Sequence, residues 1–236
     1  MDRISALTPL LLLLLSAGAL TTPLPAGAQD YLTVEPREEP SAIRDVEISA
    51  ELGVMDRGTT GIGAPLLGYG YDHGGGAFGA LGTRVLFPFG YGDYFAHGFD
   101  LRASYSAGEF FGVDGVDFHN GQLDLGYVFR TEFPCMRGET RIIYLSGALG
   151  VTGLYADAGT GRGEPDDTWN ERVAASEALD HYGLGGYLTV DLAAHYGATF
   201  IGLRLDAREH FALGHSAIAR DVTVAASLRF GVKFSP

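Results

Sequence analysis

From Asp45 onward apolar and polar residues alternate one by one, the period-2 signature of strands whose two faces meet different surroundings. In the first such run Val46, Ile48, Ala50, Leu52 and Val54 are apolar, while Glu47, Ser49, Glu51 and Gly53 lie between them. The pattern recurs seven more times. Leu81, Thr83, Val85 and Phe87 oppose Gly82 and Arg84, and Phe99, Leu101, Ala103 and Tyr105 oppose Gly98, Asp100, Arg102 and Ser104. Leu123, Leu125, Tyr127 and Phe129 oppose Asn120, Gln122, Asp124 and Arg130. A less sharp fifth run sets Ile143, Leu145, Leu149 and Val151 against Tyr144, Ser146 and Ala148. In the sixth and seventh, Leu188 to Ala194 enclose Asp191, and Ile201 to Leu205 alternate with Arg204, Asp206 and Arg208. The last is the clearest, with Val222, Val224, Ala226, Leu228, Phe230, Val232 and Phe234 against Asp221, Thr223, Ser227, Arg229, Gly231 and Lys233.

Alternation alone also suits a soluble sandwich, so the connections and the placement of aromatic residues decide. Long connections are expected at Asp56 to Gly75 and Ala156 to His181, and a medium one at Ala107 to Gly115. Short ones are expected at Pro88 to Asp93, Thr131 to Gly138, Tyr196-Gly197 and Gly214 to Ser216. Short turns at one end and longer loops at the other are the habit of a membrane barrel, and aromatic residues gather near both strand ends, as in interfacial girdles. The expectation is an all-β, eight-stranded, antiparallel up-and-down transmembrane barrel over residues 45–236.

Ahead of it, Met1-Asp2-Arg3, the leucine run from Leu10 to Leu15 and the small residues Ala26-Gly27-Ala28 read as a secretory signal peptide over residues 1–28. Residues 29–44, with two prolines and clustered Glu, read as a flexible periplasmic lead-in. The expected location is therefore the bacterial outer membrane, with both mature termini periplasmic. The only cysteine is Cys135, which leaves no intrachain disulfide to stabilise an exported chain.

The formal charge is −13, which argues against nucleic acid as a partner. Face assignment places Glu47, Glu51, Asp100, Asp124, Asp191, Asp206 and Asp221 inside with Arg84, Arg102, Arg130, Arg204, Arg208, Arg229 and Lys233. This balance predicts a paired, occluded lumen, since an unpaired charge there is costly. Glu47 with Lys233 and Glu51 with Arg229 become neighbours when the barrel closes, subject to barrel shear. The excess acid belongs to the lead-in and loops, including Asp72, Asp157, Glu164, Asp166, Asp167 and Asp180. With no calcium-loop spacing they read as a solvated acidic surface, and neither a metal nor a cofactor is expected. Gly74-Gly75-Gly76 reads as a loop end, and His73, His181 and His215 as loop residues, with His97 and His119 interfacial.

The eight two-faced strands and the closing run Leu228-Arg229-Phe230-Gly231-Val232-Lys233-Phe234 resemble the small outer-membrane barrels of the OmpA, OmpX and OmpW type. The resemblance implies an outer-membrane lipid and lipopolysaccharide environment, a monomer, and an assembly machinery that reads the final strand, here Phe230, Val232 and Phe234. The chain departs from that pattern by carrying Ser235-Pro236 after the last aromatic residue. The expected role is a non-enzymatic surface protein. A narrow channel or carrier for small or apolar solutes is the alternative, and a lipid A-modifying enzyme a second. Ser146 or Ser104 with His210 and Asp206 share lumenal parity and are the only candidates for a nucleophile, base and orienting acid.

Overall fold

The computed structural model describes residues 43–61, 72–89, 94–110, 116–134, 141–160, 169, 173, 180–213 and 218–235. The expected signal peptide, most of the expected lead-in, Cys135 and most of the connection after β5 lie outside the described residues. Eight antiparallel strands follow one another: β1 (Asp45–Gly61), β2 (Asp72–Pro88), β3 (Phe95–Phe110), β4 (Val116–Pro134), β5 (Arg141–Thr160), β6 (His181–Tyr196), β7 (Thr199–Leu213) and β8 (Ile218–Phe234). Each pairs with the next and β1 pairs with β8, so the sheet closes and no strand edge is left. The turn between β6 and β7 is the tightest. It uses Gly197 at φ 60°, a left-handed conformation that side chains disfavour.

Several strands outrun the sequence pattern. Asp56–Gly61 and Asp72–Gly75 are strand, not loop, and Gly74, Gly75 and Gly76 pair with Phe110, Glu109 and Gly108. His181 opens β6 and is buried. Turn-type residues masked these extensions, because a ladder in a closed sheet holds glycine through backbone bonds whatever its propensity. At the other end Arg44, expected in the lead-in, is tied to the barrel by its N–H to Leu86 O at 2.7 Å.

The register measures the tilt. Following paired residues from Glu47 through Arg84, Asp100, Gly126, Gly150, Tyr187, Arg208 and Thr223 returns to β1 at Arg57, ten residues beyond the start. A shear of this size on eight strands inclines them at roughly 35–45° to the axis. It also means that residues at one height are not ladder partners, since each step around the barrel climbs slightly more than one residue.

Allowing for that climb, one outward leucine per strand falls at a common height: Leu52, Leu81, Leu101, Leu125, Leu149, Leu188, Leu205 and Leu228. All but the half-buried Leu188 are exposed. Toward the end carrying the shortest turns, this ring gives way to Phe95, Phe133, Tyr196 and Phe234, and toward the other end to Tyr155, Tyr182 and Phe211. Arginine and carboxylate side chains fill the inside. Apolar outside and charged inside is the distribution of a barrel that crosses a membrane.

Two tyrosine–histidine pairs on the outer surface of β3 and β4 bracket the apolar band. Near one edge His97 Nδ1 bonds Tyr127 OH, and toward the other Tyr105 OH bonds His119 Nδ1 at 2.6 Å. Between them lie Phe99, Leu101 and Ala103 on β3 and Leu123 and Leu125 on β4. Beyond the second pair the outward residues turn acidic, with Glu109 and Asp157 exposed. The leucine ring thus marks the bilayer midplane. Leu101→Arg should cost about 2–4 kcal/mol in urea unfolding from lipid vesicles, whereas Glu109→Arg, outside the band, should change stability by about 1 kcal/mol or less. Equal costs at the two positions would refute this placement.

Candidate functional site

Inside the leucine ring six arginines and six carboxylates form one continuous network. Arg130 binds Glu47 with two contacts of 2.7 Å. Arg229 links Glu47 at 3.2 Å to Asp191 at 3.4 Å, and Arg84 links Asp191 at 2.8 Å to Asp100 at 2.9 Å. Arg204 joins Asp100 and Glu51, each at 2.7 Å, and reaches Asp206 at 3.2 Å. Arg102 gathers Glu51 at 3.1 Å, Asp206 at 3.0 Å and Asp124 at 2.7 Å, and Arg208 closes the series on Asp124 at 3.0 Å. Every member is buried. Most of these arginines bridge acids from different strands, and the planar guanidinium with five donors spread over three nitrogens spans them more widely than the single nitrogen of an ammonium.

Neutral groups take up several remaining donors. Arg229 Nε donates to Ser49 Oγ and Arg130 Nε to Ser146 Oγ, both at 3.2 Å. The Arg130 guanidinium also lies 3.9 Å from the centre of the Tyr144 ring, and Arg229 lies 4.7 Å from that of Phe200. On the β2–β6 side Leu86, Ala96, Val128, Ala148 and Tyr187 pack as an apolar patch against the charged core. Removing two charges from water costs several kcal/mol per ion, and only paired, hydrogen-bonded geometry offsets it.

The network holds twelve of the fourteen residues that the alternation placed in the lumen. The other two bond elsewhere. Asp221 pairs with Arg57 at 2.7 Å and with His181 at 3.5 Å, in a separate group toward the loop end. Lys233 is half-buried at the turn end and reaches Asp45 at 3.7 Å. Ladder register does set Glu47 opposite Lys233 and Glu51 opposite Arg229. Yet the side chains bond diagonally: Arg229 lies nearer Glu47 than Glu51, at 3.2 against 3.8 Å. Glu47 lies four residues along β1 from that ladder partner, further than one step of tilt, so the long arginine side chain spans the rest of the distance.

Arg57, Glu132 and Arg44 were not among the predicted interior residues, whereas His195 shares the polar-face parity of Asp191 on the sixth strand and is buried. Arg57 shares parity with Glu51 and falls three alternations further along β1, so continuing the count through Gly53 and Met55 reaches it. His195 contacts Glu47 at 3.4 Å, and Arg44 binds Glu132 at 2.6 Å.

The proposed nucleophile, base and acid are not brought together. Ser146 accepts from Arg130, Ser104 donates to Gln122 Oε1 at 3.3 Å, His210 Nε2 meets Thr152 Oγ1 at 3.1 Å, and Asp206 is held by Arg102 and Arg204. Among the described residues no group of three or more His, Cys, Asp or Glu side chains has the arrangement of a metal site. Phe230, Val232 and Phe234 all face outward on β8.

No family model matches the chain, and no curated protein is similar to it. Among solved structures it is similar to Neisserial surface protein A, at 12% identity over 80% of this chain and 97% of that one, with a TM-score of 0.41. It is also similar to the outer membrane enzyme PagL, at 14% identity, 79% and 98% coverage and a TM-score of 0.42. The outer membrane protein OprG from Pseudomonas aeruginosa gives 13% identity, 84% and 99% coverage and a TM-score of 0.39. Likenesses this distant carry no functional argument, and the fold stands on the closed strand pairing and the inverted burial described above.

Proposed function

We propose that this chain is a non-enzymatic protein of the bacterial outer membrane, a closed barrel that serves as a rigid stake for the surface it presents at its loop end. The observation that carries this reading is the unbroken arginine–carboxylate network that runs from the level of the leucine ring down toward the turn end. It fills the lumen where a conduction path would have to run. An eight-stranded barrel has an interior just wide enough for side chains, and here those side chains are bonded to one another across the axis.

In this reading the partners are membrane lipid and lipopolysaccharide, the protein works as a monomer, and Phe230, Val232 and Phe234 are the part of the final strand read during assembly. The loop-end rim presents Asp56, Glu109, Asp157 and Asp180 to solvent. The rim base Arg220 is engaged by Glu209 at 2.5 Å. That surface suits cationic neighbours and repels nucleic acid.

Two measurements test the plug. The purified barrel in planar bilayers should show no conductance steps. Steps that change in Glu51→Gln or Arg229→Gln would replace this reading with a narrow channel. For stability, Arg102→Met should cost about 3–5 kcal/mol, because it takes one buried cation from Glu51, Asp124 and Asp206 and leaves the three acids to Arg204 and Arg208. Adding Asp124→Leu should return part of that loss, since an apolar pair can replace a buried ion pair at little cost. A cost below about 1 kcal/mol for Arg102→Met, the range of exposed pairs, would show the lumen to be wet and the network dispensable.

A further inference from the structure

The loop-end half of the lumen is built differently from the plug beneath it. Several of its inward positions are small, with Gly53, Gly76, Gly185, Ala225 and Ser106 where the plug carries arginines and acids, and Met55, Phe78, Phe110, Val116 and Phe118 form a buried apolar cluster among them. The Phe78 ring lies against the top of the plug, 5.9 Å from the Arg102 guanidinium and 5.6 Å from that of Arg208. Above, Arg57 stands 5.2 Å from the ring centres of both Phe110 and Phe118, and its bond to Asp221 spans β1 and β8. Between this floor and this ceiling, four buried side chains carry polar atoms with no partner.

Asn120 is fully buried, and neither its amide oxygen nor its nitrogen is bonded. Gln122, two residues along the same inward face of β4, accepts from Ser104 but leaves Nε2 unpaired. Arg208 crosses the lumen from β7 to reach Asp124, the next inward residue of β4, through Nε and Nη2, and its Nη1 is left over. His210 likewise crosses to Thr152 on β5, and its Nδ1 is left over. With the climb of the register, Gln122 and Arg208 stand at one height, and Asn120 and His210 at the next inward position above. Buried polar atoms of native proteins are almost always satisfied, so this cluster calls for an occupant.

The unpaired atoms describe it. Three are N–H donors, on Asn120, Gln122 and Arg208, Asn120 Oδ1 is an acceptor, and His210 Nδ1 donates or accepts according to its tautomer. A carboxylate would meet the donors, but it would stand next to Asp124, which already matches the charge of Arg208, and would be repelled. A neutral group offering a carbonyl oxygen and an N–H meets both needs, and Phe78 and Phe118 supply apolar walls for the rest of the molecule.

We propose that this space is a binding site for a small neutral solute carrying an amide. Its carbonyl oxygen accepts from Arg208 Nη1 and Gln122 Nε2, and its N–H donates to Asn120 Oδ1. The site rests on the plug as its floor, so the solute is held from the loop side and does not pass through.

The test is a titration of the full barrel in lipid nanodiscs with acetamide, using acetate as a charged control of equal size, read on the side-chain amide NMR signals of Asn120 and Gln122. Acetamide should shift both signals to saturation, and acetate should not. The double variant Asn120→Leu with Gln122→Met should weaken the saturable binding, read on the Phe78 ring, by about tenfold or more. That variant's retained heat-modifiable gel mobility shows that it folds. The single variant Gln122→Glu, which adds a negative charge but leaves Asn120 in place, should weaken it as well. Shifts that rise linearly, that are equal for the two probes, or that persist in the double variant overturn the proposal, as do signals contacting long-lived water alone. A silent, non-conducting barrel without saturable shifts sinks this site and leaves the plug standing; a conducting barrel sinks the plug.

Discussion

A guanidinium placed in a narrow lumen must find acceptors for its donors there, and six of them in one continuous stretch constrain the rest of this barrel's interior. Each acid needs at least one arginine, and most arginines need two acids that lie on different strands. The contacts therefore fix the heights of the strands relative to one another. A one-residue slip of any strand would turn its charges toward lipid and its leucine inward. The network is thus as much a statement of register as of stability, and the shear of ten is the register in which the alternating series closes.

Space around the network is set by what is missing as well as by what is present. Gly126 faces inward beneath the Tyr187 hydroxyl, and a β-carbon there would collide with that oxygen and with the carbonyl of Leu149. Tyr187 can therefore lean over β4 and cover the apolar patch beside the arginines. Smaller inward residues then dominate toward the loop end, so one barrel has a charged, filled half and a more open, amphipathic half. The filled half lies behind the apolar band, where an unpaired charge has no water to turn to.

Most of the architecture was legible in the sequence because a two-faced strand must alternate at every residue. Leu52 against Glu51, Leu101 against Arg102 and Leu228 against Arg229 are enough to orient three strands. What the alternation lacked was height. Parity says that Arg84 and Asp191 point inward, yet only the closed sheet reveals that they meet across the axis, from β2 to β6, at 2.8 Å. Strand ends were also hidden: Gly74 to Gly76 look like a loop by composition, and Arg57 was lost with the strand end that carries it. The unpaired Asn120 could not be read at all, since an inward amide looks the same in sequence whether or not a partner awaits it.

The most direct test of the interior is solvent exchange of the arginine Nε–H groups, followed by NMR on the 15N-arginine-labelled barrel in lipid. Arg84, Arg102, Arg130, Arg204, Arg208 and Arg229 each place Nε within reach of a carboxylate or hydroxyl oxygen inside the lumen, whereas Arg220 sits on the exposed rim. The account predicts sharp, slowly exchanging Nε–H signals from these six and from Arg57, whose buried Nε donates to Asp221 at 2.7 Å, and rapid loss of the Arg220 signal. Lumenal signals that exchange as fast as that of Arg220 would show a water-filled interior and contradict it.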